Sequence, residues 1–372
     1  MEIEKPNYIP WAKPDFYGNE KSFVNKALTS TWISGGSYVK LIENKVAKLT
    51  NSKFALSTSN GTTAIHAVYL TLGISPGDEV IVPGFGFLAA ANIAIQMGAK
   101  PVFAEVDLET WCMNLTSIEK CLSSKTRAIV PVHTYGNVCE MDGIMELAQK
   151  NNIPVIEDAA EAFGSKYKGN WAGSIGDIGT FSFQATKTIT TGEGGMVITN
   201  GKELNNRMSL YISHGMLRKT YYWHELAGHN FRLTNLQAAL GCAQLEHFDN
   251  IVKERMRIHT IYKRCIGNED GITLQKFLPD VKPVLFAFAA KLDPKAFPQG
   301  RNAVIEQMKE WKVETRPGFY PPTLMKHLYN SDPLPVSEEI GLNVISFPTF
   351  PSLKDEQIKY ICDSLINLNN SY

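Results

Sequence analysis

Residues 181–195 read Phe181-Ser-Phe-Gln-Ala-Thr-Lys187-Thr-Ile-Thr-Thr-Gly-Glu-Gly-Gly195, and the rest of the chain arranges itself around them. An alternating pattern over 179–183 predicts a strand that runs into a lysine set among small and hydroxylated residues. Past the lysine come Gly192, Gly194 and Gly195, then a second apolar strand over 196–199. No carboxylate stands within five residues of Lys187, so nothing local holds its ammonium as an ion pair. The glycines let the backbone come close to something or take positive φ. A lysine in a small, partly desolvated pocket loses its proton more easily and becomes a nucleophile, which is the chemistry of Schiff-base formation. The alternative is a surface lysine on a hairpin, the commoner fate of this residue.

Outward from this stretch, strand-like segments alternate with helical ones. Residues 54–57 precede a helix over 62–72, and 79–82 precede one over 89–97. In the same way 101–105 precede 117–121, 128–132 precede 142–150, and 155–157 run into a turn. Near-continuous Val, Ile and Ala runs of this kind predict a mostly parallel sheet covered by helices on both faces. Residues 1–35 read as a polar arm bearing prolines and aromatics, with a short helix over 19–29. Leu41, Ile42, Val46 and Leu49 then recur at helical spacing over 38–50. From Asn235 one long helix is expected to run to about Cys265 and link two domains. The remainder reads as a smaller α+β unit, with strands over 284–290 and 344–347 and helices over 301–311 and 354–368. The expected division is a large domain over 1–250, arm included, and a small one over 251–372.

A chain of 372 residues buries a substantial core, and 44% hydrophobic with 20% charged residues is ordinary for a soluble enzyme. Formal net charge is zero, so nothing advertises a nucleic-acid partner or an acidic membrane surface. The six cysteines are scattered without a CxxC, which reads as reduced thiols of a cytoplasmic protein. The opening Met1-Glu-Ile-Glu-Lys-Pro6 has no apolar run of the kind a leader needs. The longest apolar run, 85–97, carries Asn92 and Gln96 and is too short for a membrane span.

Four further pieces fall where a parallel sheet places ligands, at the carboxyl ends of strands. Ser57-Thr-Ser-Asn-Gly61-Thr-Thr63 turns from a strand into a helix start, and its N–H groups and hydroxyls make either a phosphate seat or an ordinary N-cap. Asn152-Ile-Pro-Val-Ile-Glu-Asp158-Ala-Ala-Glu161 ends a buried strand in an acid, placed to pair with a cofactor's ring nitrogen or merely to cap the next helix. Pro83-Gly-Phe85-Gly-Phe87 brings aromatics to a strand end, where they stack on a planar group or join the core. His229-Asn230-Phe-Arg232-Leu-Thr-Asn235 supplies polar groups just before the long helix. Two motifs compete with these. His224-Glu-Leu-Ala-Gly-His229 has one residue too many for a zinc-protease site, since on a helix its histidines stand about 140° apart, so no metal is expected. Gly84-x-Gly86-x-x-Ala89, with Glu105 further on, matches a dinucleotide fingerprint and an NAD-binding oxidoreductase, but Pro83 interrupts it and Lys187 is left without a role.

Taken together and in order, these motifs resemble the DegT/DnrJ/EryC1/StrS family of pyridoxal-phosphate-dependent sugar aminotransferases, from about Trp32 to the final helix. Sugar dehydratases of the same family have a histidine at the position of Lys187, and the lysine favours the aminotransferase branch. The resemblance implies an α/β, type I aminotransferase-like fold and a homodimer with a shared active site. It implies that Lys187 binds pyridoxal phosphate and that Gly61, Thr62 and Ser182 hold its phosphate. Phe87 would then lie over the ring, Asp158 would meet the pyridine nitrogen, and Glu161 would sit on the ring-hydroxyl side. Asn230 would reach the cofactor phosphate of the neighbouring subunit, and Arg232 and Arg316 match positions on the substrate side. The implied substrates are L-glutamate and a nucleotide-linked keto sugar, GDP-4-keto-6-deoxy-mannose aminated at C4, for polysaccharide or O-antigen biosynthesis. Two departures from the family pattern stand out. Gly84 and Gly86 replace hydroxylated residues, and Val284-Leu-Phe-Ala-Phe-Ala-Ala290 lacks the usual aromatic-polar pattern.

Overall fold

In the computed structural model, residues 8–217, 219–220, 222–328 and 332–369 are described. Residues 1–6, read above as no leader, lie outside them. The strands are Phe54–Thr58 (β1), Glu79–Pro83 (β2), Lys100–Ala104 (β3), Thr126–Ile129 (β4), Ile156–Asp158 (β5), Lys166–Tyr167 (β6), Asn170–Trp171 (β7), Ile178–Ser182 (β8) and Gly195–Thr199 (β9). One sheet has the order β1-β9-β8-β5 and another the order β3-β2-β4. Parallel bridges from Ile129 to Val155 and from Val132 to Asp158 join β4 to β5, so the two form a continuous layer. Only β9 runs against its neighbours in that layer. The mostly parallel sheet expected from the sequence is therefore present, with one reversed strand set by the tight return after Lys187.

The apolar runs explain the burial. Val80, Ile81 and Val82 of β2 are buried, as is every residue of β8 and β9. Because β1, β2, β5 and β8 run the same way, their last residues Thr58, Pro83, Asp158 and Ser182 reach one edge of the layer together. That edge is where the site forms.

The helix expected over 235–265 is two helices, Asn235–Glu246 and Phe248–Ile266. The break is at His247 (φ −110°, ψ 14°), whose ring stacks on Tyr17 at 4.9 Å. Neither glycine nor proline marks it. The turn sends Phe248 into an aromatic cluster with Phe163 and Trp171. The second helix then bridges two hydrophobic cores, with Phe248 and Ile251 in the first and Ile258, Ile261, Tyr262 and Ile266 in the second.

The second core lies beneath a smaller antiparallel sheet. Its strands are Ile272–Leu274 (β10), Phe288–Leu292 (β12), Arg316–Pro317 (β13) and Val344–Phe347 (β14), in the order β10-β12-β14-β13, while Val281–Lys282 (β11) pairs with β6. The N-terminal arm belongs to this region in space. Ile9 exchanges backbone hydrogen bonds with Lys312 and Glu314 at 2.8 and 2.9 Å and is buried in the second core.

Candidate active site

A cavity of about 730 Å³ opens at the carboxyl edge of the large sheet. Gly61, Thr62, Phe87, Asp158, Glu161, Ser182, Lys187 and Arg316 all line it. Residues scattered over more than 250 positions in sequence thus meet in one place.

The return after β8 positions the lysine. Gly192 takes φ +83°, and a Cβ at Gly195 would collide with the Asn60 carbonyl, so glycine there lets β9 press against the loop after β1. Lys187 ends up with a side chain 15% exposed. Its sequence neighbourhood lacks a carboxylate, but the fold supplies one: Nζ lies 3.5 Å from Glu161 Oε1. The other oxygen of Glu161 accepts the N–H of Tyr135 at 2.9 Å. Tyr135 holds φ +60°, a conformation unusual for a non-glycine residue, and thereby aims its N–H at the carboxylate.

At the end of β1, Asn60 caps the helix Gly61–Leu72 in a reciprocal capping box with Thr63. The box satisfies the N–H of Thr63 and leaves those of Gly61 and Thr62, the first two of the helix, facing the cavity. A Cβ on Gly61 would sit 3.0 Å from the Ser182 Cβ, so glycine keeps the space beside that hydroxyl clear. Amide donors, a hydroxyl and the positive end of a helix suit a phosphate.

Asp158 closes β5 and is 3% exposed. Burial pushes its carboxyl up to about 6; its proximity to Glu161 adds to the rise, while the Ala160 N–H and Lys187 oppose it. Behind it, Glu157 faces the opposite side of the sheet, where its carboxylate accepts N–H groups from Gly173, Ile175 and Gly176 and touches His133 Nε2 at 2.8 Å. A buried acid raised in this way favours a cationic partner, such as a protonated ring nitrogen.

Three walls of the cavity were not anticipated from the sequence. Trp11 arrives from the arm, Phe286 from the stretch before β12, and Tyr135 with Phe319 as a stacked pair at 5.3 Å. Arg316 stacks over the Trp11 ring at 4.3 Å and donates to Glu314 Oε1 through Nε and Nη2. Glu314 also accepts the Trp11 N–H and the Tyr8 hydroxyl, each at 2.9 Å. The unusual composition of 284–290 was the one available signal for Phe286, and the aromatic arm the one for Trp11.

Asn230 and Arg232 do not line this cavity. Both are exposed, and Arg232 Nε donates to Asn230 Oδ1 at 3.1 Å. The two motifs that competed for a role have other functions in the fold. A Cβ on Gly84 would collide with Ser337, and Glu105 accepts the N–H groups of Val336 and Ser337 at 3.0 and 2.8 Å. The glycine loop therefore seats the start of the helix Pro335–Asn343, and the acid that would hold a ribose caps that helix instead. His224 Nδ1 donates to the His214 carbonyl at 2.7 Å, whereas the His229 ring stacks on Phe231 at 4.6 Å.

An amine that can condense with an aldehyde, a buried acid that can hold a proton on a ring nitrogen, and a phosphate seat are together what pyridoxal phosphate requires. The residues present fit that cofactor, and the layer that carries them has the type I aminotransferase fold. The chain belongs to the DegT/DnrJ/EryC1/StrS aminotransferase family, whose profile matches residues 15–366. It is similar to the GDP-perosamine synthase of Escherichia coli O157:H7, with 43% identity over 96% of this chain and 98% of that one. The GDP-perosamine synthase of Caulobacter vibrioides is 37% identical over 96% and 97% of the two chains. Among solved structures, the Helicobacter pylori aminotransferase PseC, involved in the biosynthesis of pseudoaminic acid, superposes with a TM-score of 0.94 at 27% identity over 98% of this chain and 100% of that one. S. venezuelae DesV, solved in complex with a ketimine intermediate, gives 0.92 at 27% identity over 99% and 100%.

Proposed function

We propose that this sugar aminotransferase moves an amino group from L-glutamate to C4 of GDP-4-keto-6-deoxy-mannose. The observation that carries the chemistry is Lys187 Nζ, little exposed and 3.5 Å from Glu161, in the same cavity as buried Asp158 and the open N–H groups of Gly61 and Thr62. The sugar rests on three relatives named GDP-perosamine synthase, 35–43% identical over almost the whole chain.

When bound, pyridoxal phosphate supplies an electron sink for the electrons of a Cα–H bond. Asp158 holds a proton on its ring nitrogen, which keeps that sink effective. The N–H groups of Gly61 and Thr62 and the Ser182 hydroxyl hold the phosphate, and Phe87 covers the ring. With the cofactor in place, the Lys187 amine would serve as the base that takes a proton from the donor Cα and the acid that gives it back. Glu161 would hold the ammonium that Lys187 becomes once it has taken that proton, and Arg316 with Trp11 would flank the sugar side.

The site is shared in a homodimer, with Asn230 reaching the neighbouring subunit's cofactor phosphate. Exposed Leu28, Trp32 and Ile33 support this reading, because the backbone of Trp32 and Ile33 is hydrogen-bonded to Asn235, a few residues beyond Asn230. Among the described residues no helix is long and apolar enough to cross a membrane. The six unpaired cysteines are in keeping with a cytoplasmic setting.

An absorbance spectrum tests the reaction. A band at about 410–430 nm should shift to about 330 nm with L-glutamate and return when the GDP-linked keto sugar is added. A protein that stays colourless with added pyridoxal phosphate would sink the enzyme assignment. Return of the band only with a UDP- or dTDP-linked keto sugar would sink the choice of sugar.

A further inference from the structure

Lys187 Nζ lies 3.9 Å from the centroid of the Phe286 ring, on its face. Phe286 is 6% exposed, and Trp11 packs edge-on against it at 5.5 Å and 77°, which fixes the plane of the ring. The ring belongs to the apolar stretch 284–290. A second contact holds it in register with the lysine. Arg255, 3% exposed on the helix Phe248–Ile266, donates Nη1 to the carbonyls of Leu285 and Phe286 at 2.9 and 3.0 Å. Its Nη2 donates to the carbonyl of Lys187 itself at 3.3 Å. One guanidinium thus ties the lysine's backbone to the backbone that carries the ring.

We propose that Phe286, held by Arg255, sets the proton affinity of the Lys187 amine by presenting its ring face to the ammonium form. The proposal rests on Lys187 being the cofactor lysine. An ammonium over an aromatic face is stabilised, more strongly where water is excluded. Glu161 and Asp158 act in the same sense, and Glu193 also lines the cavity. Arg316 in the cavity wall and Arg255 behind the backbone act against it. The lysine must be neutral to condense with an aldehyde and charged to deliver a proton, so the balance among these groups sets its working range. Phe286 is the member of the set that is neutral at every pH, so its removal changes the balance without adding or deleting a charge.

The test uses the full chain freed of cofactor and mixed with pyridoxal 5′-phosphate across a pH series. Nζ bonds to the aldehyde carbon, water leaves, and the growth of the band at about 410–430 nm gives the rate of capture. In Phe286→Leu the pH midpoint of that rate should fall by roughly 0.5–1.5 pH units, the worth of one desolvated cation–π contact. In Phe286→Trp it should stay at the wild-type midpoint or rise above it. Thermal unfolding identifies a variant that fails to fold, and if Phe286→Leu does so the tryptophan variant decides alone. A leucine variant with the wild-type midpoint, or a tryptophan variant whose midpoint falls, overturns the proposal. A wild-type chain that captures no pyridoxal phosphate overturns the reading of Lys187 as well, so the two failures are distinguishable.

Discussion

Asp158 shows what burying a single carboxyl costs the fold. In the unfolded chain its carboxyl ionises near the ordinary value of 3.8, but in the folded protein burial pushes it up to about 6. Between these values the unfolded state has lost the proton and the folded state keeps it, so rising pH favours unfolding. Stability from this group is present below the unfolded value and is lost as pH rises through about 6. The loss is about 3 kcal/mol, because each tenfold change in proton affinity is worth about 1.36 kcal/mol. Asp158→Asn should remove that slope, so urea denaturation of the cofactor-free chain should show a flatter pH profile for the variant. Equal slopes would mean that Asp158 is not held neutral. A smaller effect is expected at Gly195, where alanine would collide with the Asn60 carbonyl. Gly195→Ala should cost about 1–3 kcal/mol and loosen the phosphate seat, read as a lower Tm and faster loss of bound pyridoxal phosphate.

At the scale of elements, the N-terminal arm is clamped by one carboxylate. Burial alone would raise Glu314, but hydrogen bonds from the Trp11 N–H, Arg316 and the Tyr8 hydroxyl hold its carboxyl below the usual range. Glu314→Ala should release the arm, withdraw Trp11 from the cavity and free Arg316. KM for the sugar should then rise by about tenfold, the loss of roughly 1.4 kcal/mol, with the cofactor band unchanged. A change in the band with no change in KM would place the arm on the wrong side of the site. Such long-range contacts are also where the sequence is hardest to read. Strand and helix periods are local, so β1, the helix Gly61–Leu72, β5 and the strands around Lys187 were legible within a residue or two. The site residues at the strand ends followed from the parallel sheet and from the family resemblance. The break at His247 was not legible, because neither glycine nor proline marks it and the ring it stacks on, Tyr17, is remote in sequence. The Glu161–Lys187 pair, the clamp on Trp11 and the ring under the lysine are likewise meetings that no local pattern encodes.

For the whole molecule, the decisive question is whether each catalytic cavity is completed by a second copy of the chain. Asn230 lies outside the cavity that Lys187 lines, exposed and bridged to Ser213. If Asn230 serves the neighbouring subunit, Lys187→Ala and Asn230→Ala damage different sites in a mixed dimer. The lysine of one protomer and the asparagine of the other then rebuild one intact site, while the second site carries both lesions. Random exchange of equal amounts makes half the dimers mixed, with one intact site in each, so about a quarter of native activity should return. Each variant alone should be inactive or nearly so, and activity should appear only after subunits have had time to exchange. Should Asn230 act within its own chain, the mixture would never exceed the average of the two variants, and the shared site would be wrong even if the protein is a dimer. Size-exclusion chromatography cannot separate these cases, because it reports assembly and not the exchange of residues between sites. The complementation assay can, since a rebuilt site requires that Asn230 cross the interface.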